Sequence, residues 1–141
     1  MSNRYLLDTN ILAFSLSGET HNLSQETRLI LEDYSNLLYT SSVSVLELLQ
    51  LYRIKKIQVN KFKTAEALIG AIEDLLYIQI LPFAKQHTET LSKLEIAQKH
   101  NDPFDHAIIA HAMTEKLILV SSDRKFHNYT GAGLDFVFNR H

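Results

Sequence analysis

The sequence contains no cysteine, and only two prolines and four glycines stand among its 141 residues. Without cysteine the chain can form neither a disulfide framework nor a thiolate metal site, which fits a reducing compartment. Proline and glycine are too scarce for a long linker or a disordered tail. The hydrophobic content of 45% is ordinary for a globular protein. We therefore expect a single domain, residues 1–141, with a proper core.

Long apolar runs are also missing, because none approaches the roughly 20 residues that a helix needs to span a bilayer. The chain enters Tyr5 to Asp8 almost at once and shows no secretory signal, so we expect a cytoplasmic protein with no membrane partner. A basic excess is absent too, since 14 Lys and Arg face 16 Asp and Glu. Nucleic-acid-binding domains usually carry such an excess. If four of the acids surround divalent cations, however, the remaining surface has a positive balance, so the lack of a basic excess does not exclude nucleic-acid binding.

Short apolar runs alternate with helical stretches along the whole chain. Strands are predicted at 4–8, 37–40, 77–81 and 117–121, with a fifth candidate at 134–138. Helices are predicted to start near Asn10, Ser24, Ser42 or Ser44, Thr64 and Asp102. This alternation is typical of βαβ units, so we expect an α/β three-layer sandwich with a central parallel sheet of four to five strands and helices on both faces. The carboxyl ends of all strands then lie at one edge, where such sheets bind ligands.

Four isolated carboxylates follow these apolar runs or begin a helix: Asp8, Glu47, Asp105 and Asp123. Asp8, for example, is the only charged residue between Arg4 and Glu19. A lone acid in an apolar segment costs several kcal/mol to bury unless it has a partner. Hard oxygen donors without cysteine select Mg²⁺ or Mn²⁺ over Zn²⁺. The acids therefore predict a magnesium or manganese site of the kind that serves phosphodiester hydrolysis.

Each acid also has an ordinary explanation. Asp8, Asp102 and Asp123 stand where helix or turn caps are common, and Asp105 fits the acid of a capping box. Glu47 resists this explanation, because it lies in a helix that its apolar neighbours predict to be buried nearly all round. Polar residues at the same edge are candidates for orienting the acids: Thr9, Asn10, Ser41, Ser42, Ser121 and Ser122, of which we favour Asn10 and Ser122.

Two histidines near Asp105 raise the alternative of a zinc site. His106 and His111 are five residues apart, which places them about 140° apart around a helix. They cannot share a helix face as a zinc-binding pair would. We therefore expect His106 to be a partly exposed helical residue, with contact to a substrate beside Asp105 as the alternative.

Four segments together resemble the PIN-domain nucleases, and in particular the VapC-like toxins of prokaryotic toxin–antitoxin pairs. They are residues 6–12, 42–48, 100–112 and 119–126, and each contains one of the four acids. The third segment, which contains Asp102, Pro103, Phe104 and Asp105, is the most specific. The order and spacing of the segments and the total length are similar to the family, so the resemblance covers essentially the whole chain.

The resemblance implies that Asp8, Glu47, Asp105 and Asp123 form the acidic metal site. Asn10 and Ser122 would support it, and Asp102 would be mainly a cap close to the pocket. It also implies a Mg²⁺- or Mn²⁺-dependent endoribonuclease that cuts RNA, often transfer RNA, and inhibits translation. Asp8 and Asp105 would bind the metal directly, Asp123 directly or through water, and Glu47 would ligate the metal or position water.

The family also implies a homodimer and a cognate antitoxin protein that occupies the cleft. The apolar helix face with Leu68, Ile72 and Leu75 is our candidate surface for self-association. The alternative function is a PIN-like module that binds RNA or protein without catalysis. The presence of all four acids argues against this alternative.

Overall fold

The computed structural model describes residues 3–141 and contains the predicted parallel sheet. Its strands are β1 (Arg4–Leu7), β2 (Leu37–Ser41), β3 (Gln79–Leu81), β4 (Ile118–Ser121) and β5 (Phe136–Phe138). They lie in the order β3-β2-β1-β4-β5, and every neighbouring pair is parallel. The third strand is shorter than predicted, because Tyr77 has a φ of 55° that extended backbone does not adopt. Because all five strands are parallel, their carboxyl ends meet at one edge of the sheet.

Six α-helices connect the strands in the part of the chain that the structure describes. They are α1 (Thr9–Ser17), α2 (Gln25–Glu32), α3 (Ser42–Arg53), α4 (Ala65–Asp74), α5 (Lys85–Lys93) and α6 (Pro103–Glu115), and two 3-10 helices cover Thr20–Asn22 and Arg124–Ala132. Ser24, Thr64 and Asp102 cap their helices as predicted. The predicted cap of α3 at Ser42 or Ser44 is wrong: Ser41 Oγ accepts the Val43 N–H at 3.1 Å, because β2 runs directly into the helix. None of the helices in residues 3–141 has the length and apolar content needed to cross a membrane.

The sheet has a separate apolar layer on each face, as expected for a three-layer sandwich. Tyr5 and Leu7 of β1 pack with side chains of α1 and α4. Leu6, between them, faces the other way and packs with α6 and with the longer 3-10 helix. Successive strand residues point to opposite faces, so this short apolar strand anchors both layers. Asp8 follows it directly at the carboxyl edge.

Two expectations about apolar helices are wrong. Helix α3 is not buried all round, because Leu46 is 55% exposed while Leu48 is fully buried. Leu68 and Ile72 of α4 are fully buried in the core, and of the three residues of the predicted face only Leu75, directly after the helix, is exposed. The proposed self-association face is therefore not free. An apolar stripe on a helix indicates that the stripe is covered, but not whether the domain's own core or a second molecule covers it.

Candidate metal centre

A pocket of about 210 Å³ opens at the carboxyl edge of the sheet. The residues that line it are Asp8, Thr9, Asn10, Glu47, Leu51, Asp102, Asp105, Asp123 and Lys125. The four carboxylates that the sequence singled out thus come from four different places, namely the ends of β1 and β4 and the helices α3 and α6. The fold brings all four to one pocket.

Asp8 is the most deeply placed of the four acids, with 4% of its surface exposed. It caps α1, since its Oδ1 accepts the Thr9 N–H at 2.8 Å. Its Oδ2 accepts the Ser121 hydroxyl at 2.6 Å. Burial raises the pKa of Asp8 to about 7, and the charges of Asp105 and Glu47 add to this effect, although the bonds from Ser121 and Thr9 oppose it. Asp8 therefore holds its negative charge only against a substantial desolvation cost.

Asn10 ties the start of α1 to the end of β4. Its Nδ2 donates to Ser121 Oγ at 3.2 Å and to Asp8 Oδ2 at 3.4 Å, and its Oδ1 accepts the Ser122 N–H at 3.1 Å. The Ser122 side chain faces elsewhere, because its Oγ accepts a hydrogen bond from Asn139 at 2.8 Å. Ser121 thus contacts an acid through its side chain, whereas Ser122 contacts Asn10 through its backbone.

Glu47 reaches the pocket from α3 and is partly buried. The Thr9 hydroxyl donates to its Oε1 at 2.6 Å, which leaves Oε2 without a partner among the described residues. Burial raises the pKa of Glu47, and the nearby Asp105 and Asp102 charges raise it further. The hydrogen bond from Thr9 lowers it only in part.

Asp105 lies in the first turn of α6 and is 7% exposed. His100 Nε2 is 2.9 Å from its Oδ2, so Asp105 contacts a side chain rather than completing a capping box. Burial raises the pKa of Asp105, and the His100 hydrogen bond opposes that rise. The charges of Asp102 and Asp123 raise the Asp105 pKa as well.

Asp102 and Asp123 have the capping roles that their positions suggested. Asp102 Oδ1 accepts the Phe104 N–H at 2.9 Å at the start of α6. Asp123 Oδ1 accepts the Lys125 N–H at 2.9 Å at the start of the longer 3-10 helix. Capping by either residue uses one oxygen of the carboxylate. It therefore leaves the second oxygen available to the pocket, and the two explanations do not exclude each other.

The four acids have no cationic side chain to balance them in residues 3–141. His100 contacts Asp105 through a hydrogen bond, and no lysine or arginine among the described residues comes within 4.0 Å of any of the four. Lys125 lines the pocket but is exposed. The Tyr129 hydroxyl contacts His100 Nδ1, on the side of the ring away from Asp105. Neither Lys125 nor Tyr129 was predicted from the sequence as a site residue, although Lys125 stands only two residues after Asp123. Hard carboxylate donors without a lysine or arginine counter-ion fit Mg²⁺ or Mn²⁺, and burial raises the pKa of three of them, Asp8, Glu47 and Asp105.

A second cluster offers metal-binding donor atoms on the far side of α6. Ligand atoms of His87, His111 and Glu115 lie within 4.8 Å of one another, and His111 Nε2 is buried without a hydrogen-bond partner. However, His87 Nδ1 accepts the Ala84 N–H at 2.8 Å, so its Nε2 carries the proton that is donated to Glu115 at 2.7 Å. A metal would have to displace that proton and break the bond at the start of α5. This donor set therefore does not fit a resident metal.

His106 and His111 lie in separate surroundings, so they form no zinc pair. His106 is partly exposed, and its Nε2 is 2.7 Å from the His100 carbonyl oxygen. His111 is fully buried, with Nδ1 2.9 Å from Ser41 Oγ. Burial lowers the pKa of His111 to about 4, and the neighbouring His87 contributes to this lowering.

We predict that Asp102→Ala lowers the free energy of unfolding by about 1 kcal/mol, because the cap of α6 is lost. Asp102→Asn should keep stability within about 0.5 kcal/mol, because asparagine caps as well as aspartate. Urea unfolding of the two variants beside the wild type measures the difference. Equal losses in both variants would show that the charge of Asp102, rather than its hydrogen bond to Phe104, stabilises the fold.

Comparisons with known proteins agree with this geometry. A search of curated proteins found no match. Among solved structures, VapBC2 from Rickettsia felis bound to a promoter DNA fragment matches with a TM-score of 0.67 and 20% identity, covering 96% of this chain and 98% of that chain. DNA-bound VapBC from Salmonella typhimurium matches with a TM-score of 0.65 and 21% identity, covering 98% of each chain. Identities this low establish the fold alone.

A third similar structure is VapC20 from Mycobacterium tuberculosis, described as a toxin that cleaves the sarcin-ricin loop. It has a TM-score of 0.61 and 14% identity, covering 97% of this chain and 99% of that chain. The family model for the PIN domain matches residues 5–132, which includes the four acids and every strand except β5. The α/β fold, the acidic pocket and this match lead to one conclusion: the chain belongs to the PIN domain family.

Proposed function

We propose that this protein is an endoribonuclease dependent on Mg²⁺ or Mn²⁺ and the toxin of a toxin–antitoxin pair that inhibits translation. The observation that carries the proposal is the meeting of four carboxylates in one pocket without a lysine or arginine counter-ion in the described chain. The PIN domain match and the VapC-like fold support a nuclease. The loop-cleaving activity named for VapC20 favours RNA as the substrate class.

In the proposed reaction Asp8 and Asp105 would hold the metal directly, and Asp123 would hold it directly or through water. A bound Mg²⁺ or Mn²⁺ would supply an activated water and would neutralise charge on the scissile phosphate. Glu47 Oε2, which is free among the described residues, would serve as a ligand or orient the attacking water, while the Thr9 hydroxyl restrains Oε1. Because the pKa of Asp8 is raised to about 7, a bound cation would compete with a proton for this carboxylate near neutral pH.

Lys125 is our candidate for a substrate contact. It is the one basic residue that lines the pocket in the described part of the chain, and its side chain is exposed. Its backbone N–H is held by Asp123 at 2.9 Å, which keeps the residue beside the acids. An ammonium group at this position suits contact with an RNA phosphate next to the bond that is cut.

The test is RNA cleavage by the purified protein, freed of any partner, in Mg²⁺, in Mn²⁺ and in EDTA. We expect cleavage that requires metal and that is lost in Asp105→Asn, which is purified in the same way. Cleavage that survives in the variant would indicate a contaminating ribonuclease or a wrong assignment of Asp105. RNA binding without metal-dependent cleavage of any RNA would favour the alternative, a PIN-like binding module.

A cognate antitoxin would be expected to cover this pocket. Leu51 lines the pocket, and the sequence neighbours of two of the acids are exposed apolar residues, with Leu46 55% and Phe104 39% exposed. A partner with an apolar helix for these side chains and a basic residue for the acids would complement the surface. Co-purification with the product of the neighbouring small open reading frame tests the pairing. Sedimentation of the chain alone tests the proposed homodimer.

A further inference from the structure

His100 connects an acid of the pocket to the interior of the domain. It is 3% exposed and lies in the segment before α6. Its Nε2 is 2.9 Å from Asp105 Oδ2, and its Nδ1 is 2.7 Å from the Tyr129 hydroxyl oxygen. Tyr129 is 1% exposed and belongs to the 3-10 helix that Asp123 begins. A buried side chain thus bridges the elements that carry two of the four acids.

The hydrogen-bond directions in this bridge are determined by a backbone donor. The Ala97 N–H donates to Tyr129 Oη at 3.1 Å. Within residues 3–141 the buried Tyr129 hydroxyl has no acceptor other than His100 Nδ1, so its hydrogen is directed there. A neutral imidazole that accepts at one nitrogen carries its proton on the other, so His100 Nε2–H donates to Asp105. The chain of bonds therefore selects one tautomer of His100.

The backbone of His100 is held as firmly as its ring. Its N–H donates to the Ala97 carbonyl at 3.1 Å, and its own carbonyl oxygen is 2.7 Å from His106 Nε2. The rings of His100 and His106 also meet edge to face, with centroids 4.9 Å apart. His106 therefore closes the segment before α6 onto the first turn of that helix.

We propose that His100, oriented by Tyr129, is a positioning residue that holds the Asp105 carboxylate in the rotamer that presents Oδ1 to the pocket. The proposal deepens the function proposed above and rests on Asp105 being a metal ligand. His100 makes the one side-chain hydrogen bond recorded for Asp105 within residues 3–141, and it engages Oδ2 alone. A ligand held in one orientation by a second residue binds metal more tightly, because less of its freedom is lost on binding.

The sharpest test removes only the Tyr129 hydroxyl and measures Mn²⁺ affinity by calorimetry. We expect Tyr129→Phe to weaken Mn²⁺ binding about 10-fold and His100→Ala between about 10- and 100-fold. The matched control is Tyr52→Phe, because the Tyr52 hydroxyl donates to the Phe62 carbonyl at 3.1 Å and contacts no acid. It should leave affinity unchanged. The double variant His100→Ala/Tyr129→Phe should bind no more weakly than His100→Ala alone, since Tyr129 acts through His100.

The tautomer gives a second readout that needs neither metal nor activity. Imidazole ¹⁵N spectra of the metal-free protein should show His100 protonated at Nε2, and Tyr129→Phe should disturb that state. Should His100→Ala fail to fold, His100→Gln and Tyr129→Phe carry the affinity test. Unchanged Mn²⁺ affinity in Tyr129→Phe, or protonation of His100 at Nδ1 in the wild type, would overturn the inference. If the proposed metal site itself were wrong, the result would be different, because the wild type would then bind no Mn²⁺.

Discussion

Replacing Asp8 by Asn is expected to slow metal-dependent RNA cleavage by at least about 100-fold. Asparagine keeps an oxygen that can accept the Thr9 N–H and so cap α1. It removes the negative charge that would hold the cation, and charge stabilisation by a metal is worth several kcal/mol at about 1.4 kcal/mol per tenfold in rate. Single-turnover cleavage with saturating RNA measures the effect without interference from product release.

The matched control for this loss is Asp74→Asn, which makes the same change of charge on an exposed residue of α4 that does not line the pocket. We expect this variant to cleave at the wild-type rate within about twofold. Retention of more than a tenth of wild-type activity by Asp8→Asn would remove Asp8 from the proposed ligands. An equal loss in Asp74→Asn would trace the effect to net charge and RNA binding.

Asp8→Asn is also expected to stabilise the metal-free protein, and to do so more strongly as the pH rises. The folded state raises the pKa of Asp8 from 3.8 to about 7, so between these values the folded state binds a proton that the unfolded state has lost. Stability therefore falls as the pH rises through this window. A pKa shift of about three units can change the free energy of unfolding by at most ~4 kcal/mol. The gain from Asp8→Asn should be near zero at about pH 4 and largest above pH 7.

Urea unfolding of both proteins in EDTA across this range measures the gain as a difference. The two proteins must be compared because His111 changes the free energy of unfolding with pH in the opposite direction. Its pKa is lowered from 6.5 to about 4, so the unfolded state takes up a proton first and stability falls as the pH drops through that window. Both proteins contain His111, so its contribution cancels. A gain that is independent of pH would contradict the raised pKa of Asp8.

Mn²⁺ should narrow the difference in stability between the two proteins above pH 7. A ligand that binds only the folded state at 100 times its dissociation constant adds about 2.7 kcal/mol of stability. The wild type should show this increase at about pH 8, whereas Asp8→Asn should show little. Equal stabilisation of both proteins by Mn²⁺ would mean that the cation binds elsewhere.

Local patterns in the sequence were sufficient to predict most of the helices and strands. Caps such as Ser24, Thr64 and Asp102 act within one turn of their helices, so they can be recognised without knowledge of the fold. The alternation of strands and helices likewise predicted a parallel sheet with a single carboxyl edge. Isolated acids after apolar runs then predicted a site for a hard cation at that edge.

Contacts between distant residues could not be predicted in this way. Asp8 meets Ser121 because β4 pairs with β1, across the point where the strand order reverses. Neighbouring serines face opposite sides of a strand end, so a shift of one residue decides whether Ser121 or Ser122 reaches the acid. The bond between His100 and Tyr129 joins residues 29 positions apart.

The sequence by itself determined that this protein has an α/β fold with four isolated carboxylates, two after strands and two in helices, because caps, periodicity and charge isolation are local properties. Only the tertiary structure decided which side chains hold those carboxylates and which apolar stripes the core covers. Leu68 and Ile72 show the second point, since they lie in the core although their stripe suited an interface equally well. Strand order and side-chain packing decide such questions, and both depend on contacts between residues far apart in the chain.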